Sequence, residues 1–177
     1  MRSFKRTQGM QVIARLEGAY VGKLDDLLFD LQSGRVSGWR LKTGAVFSKG
    51  GGVSAADLEL LGRDVVLVRA EAAIEWAGGS KPKAPDGKAW AGNYQGTGAL
   101  TRAGTALGEV KDLIVDDGGD RVLAVTLSDG RLVALDSRAQ LGPSALILEN
   151  ESVPTSLPDD EGKEPWWDAV RAALSRA

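Results

Sequence analysis

What is absent from this 177-residue chain restricts its chemistry: it contains no histidine and no cysteine. Ser-His-Asp and Cys-His nucleophilic systems are excluded, as are thiolate chemistry and zinc sites built on imidazole or thiolate. Catalysis would have to run on carboxylates, lysine, tyrosine or backbone dipoles. Asp26 and Asp112 recur at one position of an internal repeat, and paired carboxylates can do acid–base work. A single carboxylate near a turn more commonly accepts backbone or arginine hydrogen bonds. The repeated Arg35 and Arg121 are the expected partners within each unit. Asp116-Asp117-Gly118-Gly119-Asp120 offers oxygen ligands to a hard cation but lacks the spaced ligands and closing glutamate of a calcium loop, so a hairpin turn is expected. Lys49-Gly50-Gly51-Gly52 has its lysine ahead of the glycines, the reverse of a phosphate-binding loop, and reads as part of a flexible connection. These residues predict no catalytic residue, no cofactor and no metal, hence not an enzyme.

Charge and aromatic residues set the candidates for binding. The net charge is −2, which gives no support to general polyanion binding. The distribution is uneven, with 14 Lys and Arg against 10 Asp and Glu in residues 1–90 and 8 against 14 in residues 91–177. Arg2, Lys5 and Arg6 with Lys81, Lys83 and Lys88 could face RNA, with Phe4 or Trp90 stacking on bases, although solvated charge is the simpler expectation. In the C-terminal segment, Pro165 suits a first helical position, and Trp166, Trp167, Val170 and Leu174 follow at helical spacing. These four are the expected partner-binding residues. Asp159, Asp160, Glu161 and Glu164 would be repelled by anionic lipid, so docking on the protein itself or on a neighbouring chain is expected rather than membrane insertion.

The elements that must position these residues are duplicated. Residues 18–41 superimpose on residues 104–127 at a constant offset of 86, without a gap. Gly22 falls on Gly108, Asp26 on Asp112, Asp30 on Asp116 and Arg35 on Arg121. Leu61-Gly62 then matches Leu141-Gly142, each ahead of an apolar run, Val65–Val68 or Ala145–Leu148. In each copy a run ending at Asp30 or Asp116 reverses through a glycine-rich turn and returns through Val36-Trp39-Leu41 or Val122-Val125-Leu127, a hairpin pattern. Apolar and polar residues alternate imperfectly along it. Ser54–Gly62 carries the capping and stop signals of one or two helical turns, and Asp136–Gly142 is its counterpart. Five or six short strands in about 70 residues imply a small β-barrel, with no exposed sheet edges. The expected division is a first barrel at 1–76, a linker rich in Gly, Pro and Lys at 77–92, a second barrel at 93–153, and an acidic tail with a helix at 154–177.

The repeat, Gly22-Lys23-Leu24-Asp25-Asp26-Leu27-Leu28-Phe29-Asp30 and Gly108-Glu109-Val110-Lys111-Asp112-Leu113-Ile114-Val115-Asp116, each followed by Arg-Val, resembles the PRC-barrel family. That family includes the cytoplasmic domain of the photosynthetic reaction centre H subunit and the C-terminal domain of the ribosome maturation factors. The resemblance covers most of residues 8–70 and 95–150. It implies an all-β chain of two tandem PRC-type barrels acting as a non-catalytic adaptor that docks on a protein or ribonucleoprotein. The leading expectation is a protein-interaction module of a cytoplasmic or membrane-associated complex, located in the cytoplasm and binding an unidentified protein or a second copy of itself. The alternative is an accessory role in ribosome maturation or RNA processing.

Overall fold

The computed structural model describes residues 1–44 and 48–149; the expected C-terminal helix, with Trp166, Trp167, Val170 and Leu174, lies outside them. The first half contains β1 (Arg2–Ser3), α1 (Phe4–Thr7), β2 (Gln11–Ala14), β3 (Ala19–Asp30), β4 (Val36–Lys42), β5 (Gly50–Ser54), β6 (Leu58–Leu61), β7 (Val65–Val68) and β8 (Glu75–Ala77). The second contains β9 (Lys88–Trp90), α2 (Ala91–Tyr94), β10 (Gly98–Thr101), β11 (Ala106–Val115), β12 (Val122–Leu127), β13 (Leu132–Ala134), β14 (Gln140–Leu141) and β15 (Ala145–Leu148). The chain is all-β, as expected, in two curled sheets. The first runs β6-β7-β2-β3-β4-β5-β8 and the second β14-β15-β10-β11-β12-β13, the same order of equivalent strands. In both, a parallel pair (β2 with β7, β10 with β15) sits among antiparallel neighbours.

The imperfect alternation in the sequence is a β-bulge. Pairing shifts between Leu24 and Asp26 on β3 and between Val110 and Asp112 on β11. The extra residue, Asp25 or Lys111, bends the strand and re-aims the side chains after it. Leu24, Leu27 and Phe29 are buried on one side, and Val110, Leu113 and Val115 match them. Gly22 and Gly108 repeat at a second irregularity, where the pairing with β2 and β10 skips Val21 and Leu107. Their φ values are +148° and +114°, and a Cβ on Gly22 would lie 2.6 Å from the Lys42 carbonyl oxygen.

The two sheets exchange their first elements. β1 pairs not with its own sheet but with β11, Ser3 opposite Ile114. β9 pairs with β3, Trp90 opposite Leu28. Ser3 and Trp90 are 87 apart, Ile114 and Leu28 are 86 apart, and so the exchange is reciprocal about a pseudo-two-fold axis. α1 and α2 follow, each covering the other half's long strand. Phe4 and Thr7 of α1 and Ala91 and Tyr94 of α2 are all buried, so where one copy uses a large residue the other uses a small one. Tyr94 meets Phe29 edge-to-face, with centroids 5.4 Å apart. One continuous apolar cluster spans both halves, from Phe4 and Leu27 to Val125 and Leu146.

Two local expectations need correction. Gly50–Gly52 belongs to β5 and is not a flexible loop; it pairs with β4 on one side and β8 on the other. Absence of side chains is what admits the neighbours, since a Cβ on Gly51 would lie 2.8 Å from both Ile74 and Trp76, and one on Gly50 2.6 Å from Arg40. The helical signal at Ser54–Gly62 yields a single 3-10 turn, Ala55–Asp57, and then strand β6. Ser54 makes no backbone cap and donates to Asp57 instead, at 2.8 Å. Pairing of Leu58 and Leu61 with Val68 and Val66 outweighs the local helix preference. Within the expected linker 77–92, Lys88–Trp90 forms β9, and α2 starts at Ala91.

Candidate functional site

Just after the bulge, the repeated aspartates lie on the face of their strands opposite Leu27 and Leu113, and the exchanged segments cover them. Asp26 is 3% exposed. It accepts from the backbone N–H of Leu27 at 2.8 Å and of Gly92, in α2, at 2.9 Å, and from the Lys81 ammonium at 2.7 Å. Asp112 likewise accepts from Leu113 N–H at 2.8 Å and from Lys5 N–H, in α1, at 3.1 Å, and the Ser3 hydroxyl donates to it. Each carboxylate therefore fastens the opening of the other half's helical turn. Such a role needs a buried anion that accepts backbone N–H groups. Arg35 and Arg121 are not their partners, because both arginines sit at the hairpin turns, away from the bulge, and meet each other.

Asp30 and Asp116 organise those turns. Asp30 accepts from Gln32 and Ser33 N–H at 3.0 and 2.7 Å, and these bonds, the one from Ser33 foremost, hold its carboxyl below the usual range. Asp116 accepts from Asp120 and Arg121 N–H. Asp117 pairs with the N-terminal ammonium. Among the described residues no three metal-ligating side chains cluster, and 116–120 forms the expected turn.

The buried Arg40 has no counterpart among the residues singled out by motif or repeat. Its guanidinium pairs with Asp25 and donates to the Gly79 carbonyl at 2.8 Å, while Lys42 reaches Asp25 at 2.7 Å. Burial alone would raise the Asp25 carboxyl, but hydrogen bonds and charge from Lys42 and Arg40 outweigh it and bring it below its ordinary value. Lys81 also stacks on Trp90 at 5.9 Å, and Trp90 Nε1 donates to the Pro82 carbonyl at 2.8 Å. The connecting segment is thus tied to the first sheet at Gly79, Lys81 and Pro82. The two aromatics considered for stacking on bases, against the simpler expectation of solvated charge, do not present their rings to solvent, since Phe4 and Trp90 are buried, at 1% and 8% exposure. Tyr94 is buried too, with its hydroxyl unpartnered and its pKa pushed up by burial to about 12.

The surface feature best suited to binding carries no motif in the sequence. Tyr20 on β3 lies opposite Ile13 on β2, Ile13 beside Leu67 on β7, and Leu67 opposite Leu60 on β6. This is an apolar row across four adjacent strands, on the outer face of the sheet. Tyr20 is 52% and Leu60 49% exposed, with Ile13 and Leu67 partly exposed between them. Leu16, in the neighbouring β2–β3 turn, is 73% exposed. The matching row of the second sheet is Ala106, Leu100, Ile147 and Gln140, whose ends are small or polar. The signal is present as isolated apolar residues on polar faces, but their alignment depends on register, including a bulge at Glu59.

Among the described residues no helix is long and apolar enough to cross a membrane. No curated protein matches the chain. Residues 91–150, the second repeat, match the family model of the PRC-barrel domain, in agreement with the resemblance carried by Gly108, Asp112 and Asp116.

Proposed function

We propose that the protein is a non-catalytic protein-interaction module, an adaptor within a cytoplasmic or membrane-associated complex, and that its first half is a second PRC-type barrel. The observation that carries this reading is the exposed row Tyr20–Ile13–Leu67–Leu60, extended by Leu16. Apolar residues aligned across four strands are stable when covered, and a contiguous apolar patch on a sheet face is how docking surfaces present themselves. Its partner is a protein with a complementary apolar face. The repeated carboxylates, occupied in fastening the exchanged segments, support the absence of an active site.

The test is affinity capture of the tagged protein from its own lysate, with and without nuclease, alongside a Tyr20→Ser/Leu60→Gln variant and a chain lacking residues 164–177. A nuclease-resistant protein partner lost in the double variant supports the reading. Loss only in the truncated chain moves the contact to the Trp166 segment. Recovery of ribosomal components that nuclease abolishes would replace it with the RNA-linked role.

A further inference from the structure

We propose that the outer edge of β13 is a strand-docking site and that residues 155–157 of the same chain fill it. The two sheets match in strand order except there: β8 (Glu75–Ala77) adds to β5, whereas β13, the counterpart of β5, ends the second sheet among the described residues. Register fixes the equivalence. Trp39 faces Val53 and Gly38 faces Ser54, just as Val125 faces Val133 and Ala124 faces Ala134. β5 and β13 are therefore related by an offset of 80, the one that also joins Leu61-Gly62 to Leu141-Gly142. It carries Glu71 to Glu151, and Glu75, Trp76 and Ala77 to Thr155, Ser156 and Leu157.

β13 has the backbone groups for such a partner. Leu127 N–H donates to the Arg131 carbonyl and Leu135 N–H to the Leu123 carbonyl, each at 2.8 Å, so Arg131 and Leu135 face β12. Alternation along the strand then turns the N–H and carbonyl of Leu132 outward. Its counterpart in the first sheet, Gly52, pairs there with Glu75, the counterpart of Thr155. The chain also arrives at the right place. β15 ends at Leu148 as β7 ends at Val68; residues 69–74 lead from β7 to β8, and residues 149–154 cover the same step. Side chains trade sizes across this pairing: Gly51 has none and admits Trp76, whereas Arg131 stands in the place of Gly51 and Ser156 in that of Trp76. Pro154 and Pro158 lie immediately outside 155–157, and since proline brings no N–H they limit the added strand to three residues, the length of β8. A covered edge is closed to pairing with other chains. Residues 158–165, at about 3.3 Å each, then hold Trp166 within about 26 Å of β13.

The experiment reads amide exchange by NMR on the full chain, in the wild type and in Thr155→Pro/Leu157→Pro, which removes the two N–H groups that would face β13. The Leu132 amide exchanges at least about ten-fold more slowly in the wild type than in the variant, while the Val125 amide on β12 is unchanged. Equal exchange at Leu132 in both proteins overturns the proposal. Because the chain has no cysteine, Arg131→Cys/Ser156→Cys gives an independent reading, and oxidation joins the two within one monomer. A disulfide between two chains would assign the edge to a second copy, and no disulfide would leave it to another occupant; either result overturns the proposal.

Discussion

Phe4→Ala tests the exchange of elements, because the damage belongs in the other half of the chain. Phe4 is 1% exposed and sits on α1, which packs on β11 and carries the N–H group that Asp112 accepts. A buried phenylalanine covers about 150–250 Å², and its truncation to alanine typically costs about 3–5 kcal/mol, combining lost transfer energy and the cavity left behind. The upper end applies if the site stays open. The lower end applies if the four-residue turn collapses onto β11, as a segment held at few points can. Urea denaturation reads the total, and native-state hydrogen exchange reads its location. Protection is expected to fall along Val110–Val115, more than a hundred residues away, and to persist along β2 and β7. A loss below about 1 kcal/mol, or a loss of protection confined to the first sheet, would refute the exchange.

Asp26→Ala strips three hydrogen bonds, one from an ammonium, and should cost about 3–5 kcal/mol; Asp112→Ala, with no cation attached, should cost about 2–3 kcal/mol, so comparative melts test the order. Gly22→Ala should destabilise by about 1–3 kcal/mol from the positive φ alone, with more from the clash at the Lys42 carbonyl, and a melt unchanged from wild type would contradict the bend. Asp25 has a depressed carboxyl in the folded state, so its stabilising contribution is fully present above the unfolded value near pH 4 and fades as pH falls through the folded value. Asp25→Asn should therefore flatten the acid side of the stability profile, measured by urea midpoints between about pH 2 and pH 5.

The long hairpins were legible because their signals are local: glycines at turns, aspartates that accept turn N–H groups, and alternating apolar residues. Even the break in alternation at Asp25 and Lys111 was visible, though only pairing shows it to be a bulge. The exchange was not legible. β1 is two residues long, and the covering turns share only the Gln8-Gly9 and Gln95-Gly96 that close them, since within the turns Phe4 and Thr7 trade sizes with Ala91 and Tyr94. What persists there is a summed volume, which no single position reports. Gly50–Gly52 misled for a related reason. A glycine run is read as freedom of the chain, whereas here it is space taken by Ile74, Trp76 and Arg40. The apolar row and the arginine pair escaped because both are properties of register.

The duplication bears directly on function. With the first elements exchanged, one repeat cannot cover its own long strand; the smallest complete body contains two. Two separate identical copies would display every surface feature twice, related by the axis. Joining them in one chain lets the halves diverge, and the positions that differ are informative. Tyr20 and Leu60 replace the Ala106 and Gln140 of the other sheet, so the apolar row occurs on one face only. A surface needed merely to assemble the two halves would lie across the axis and stay symmetric, as the Arg35–Arg121 bridge does. One lying to a single side is instead suited to a single partner, held in one orientation.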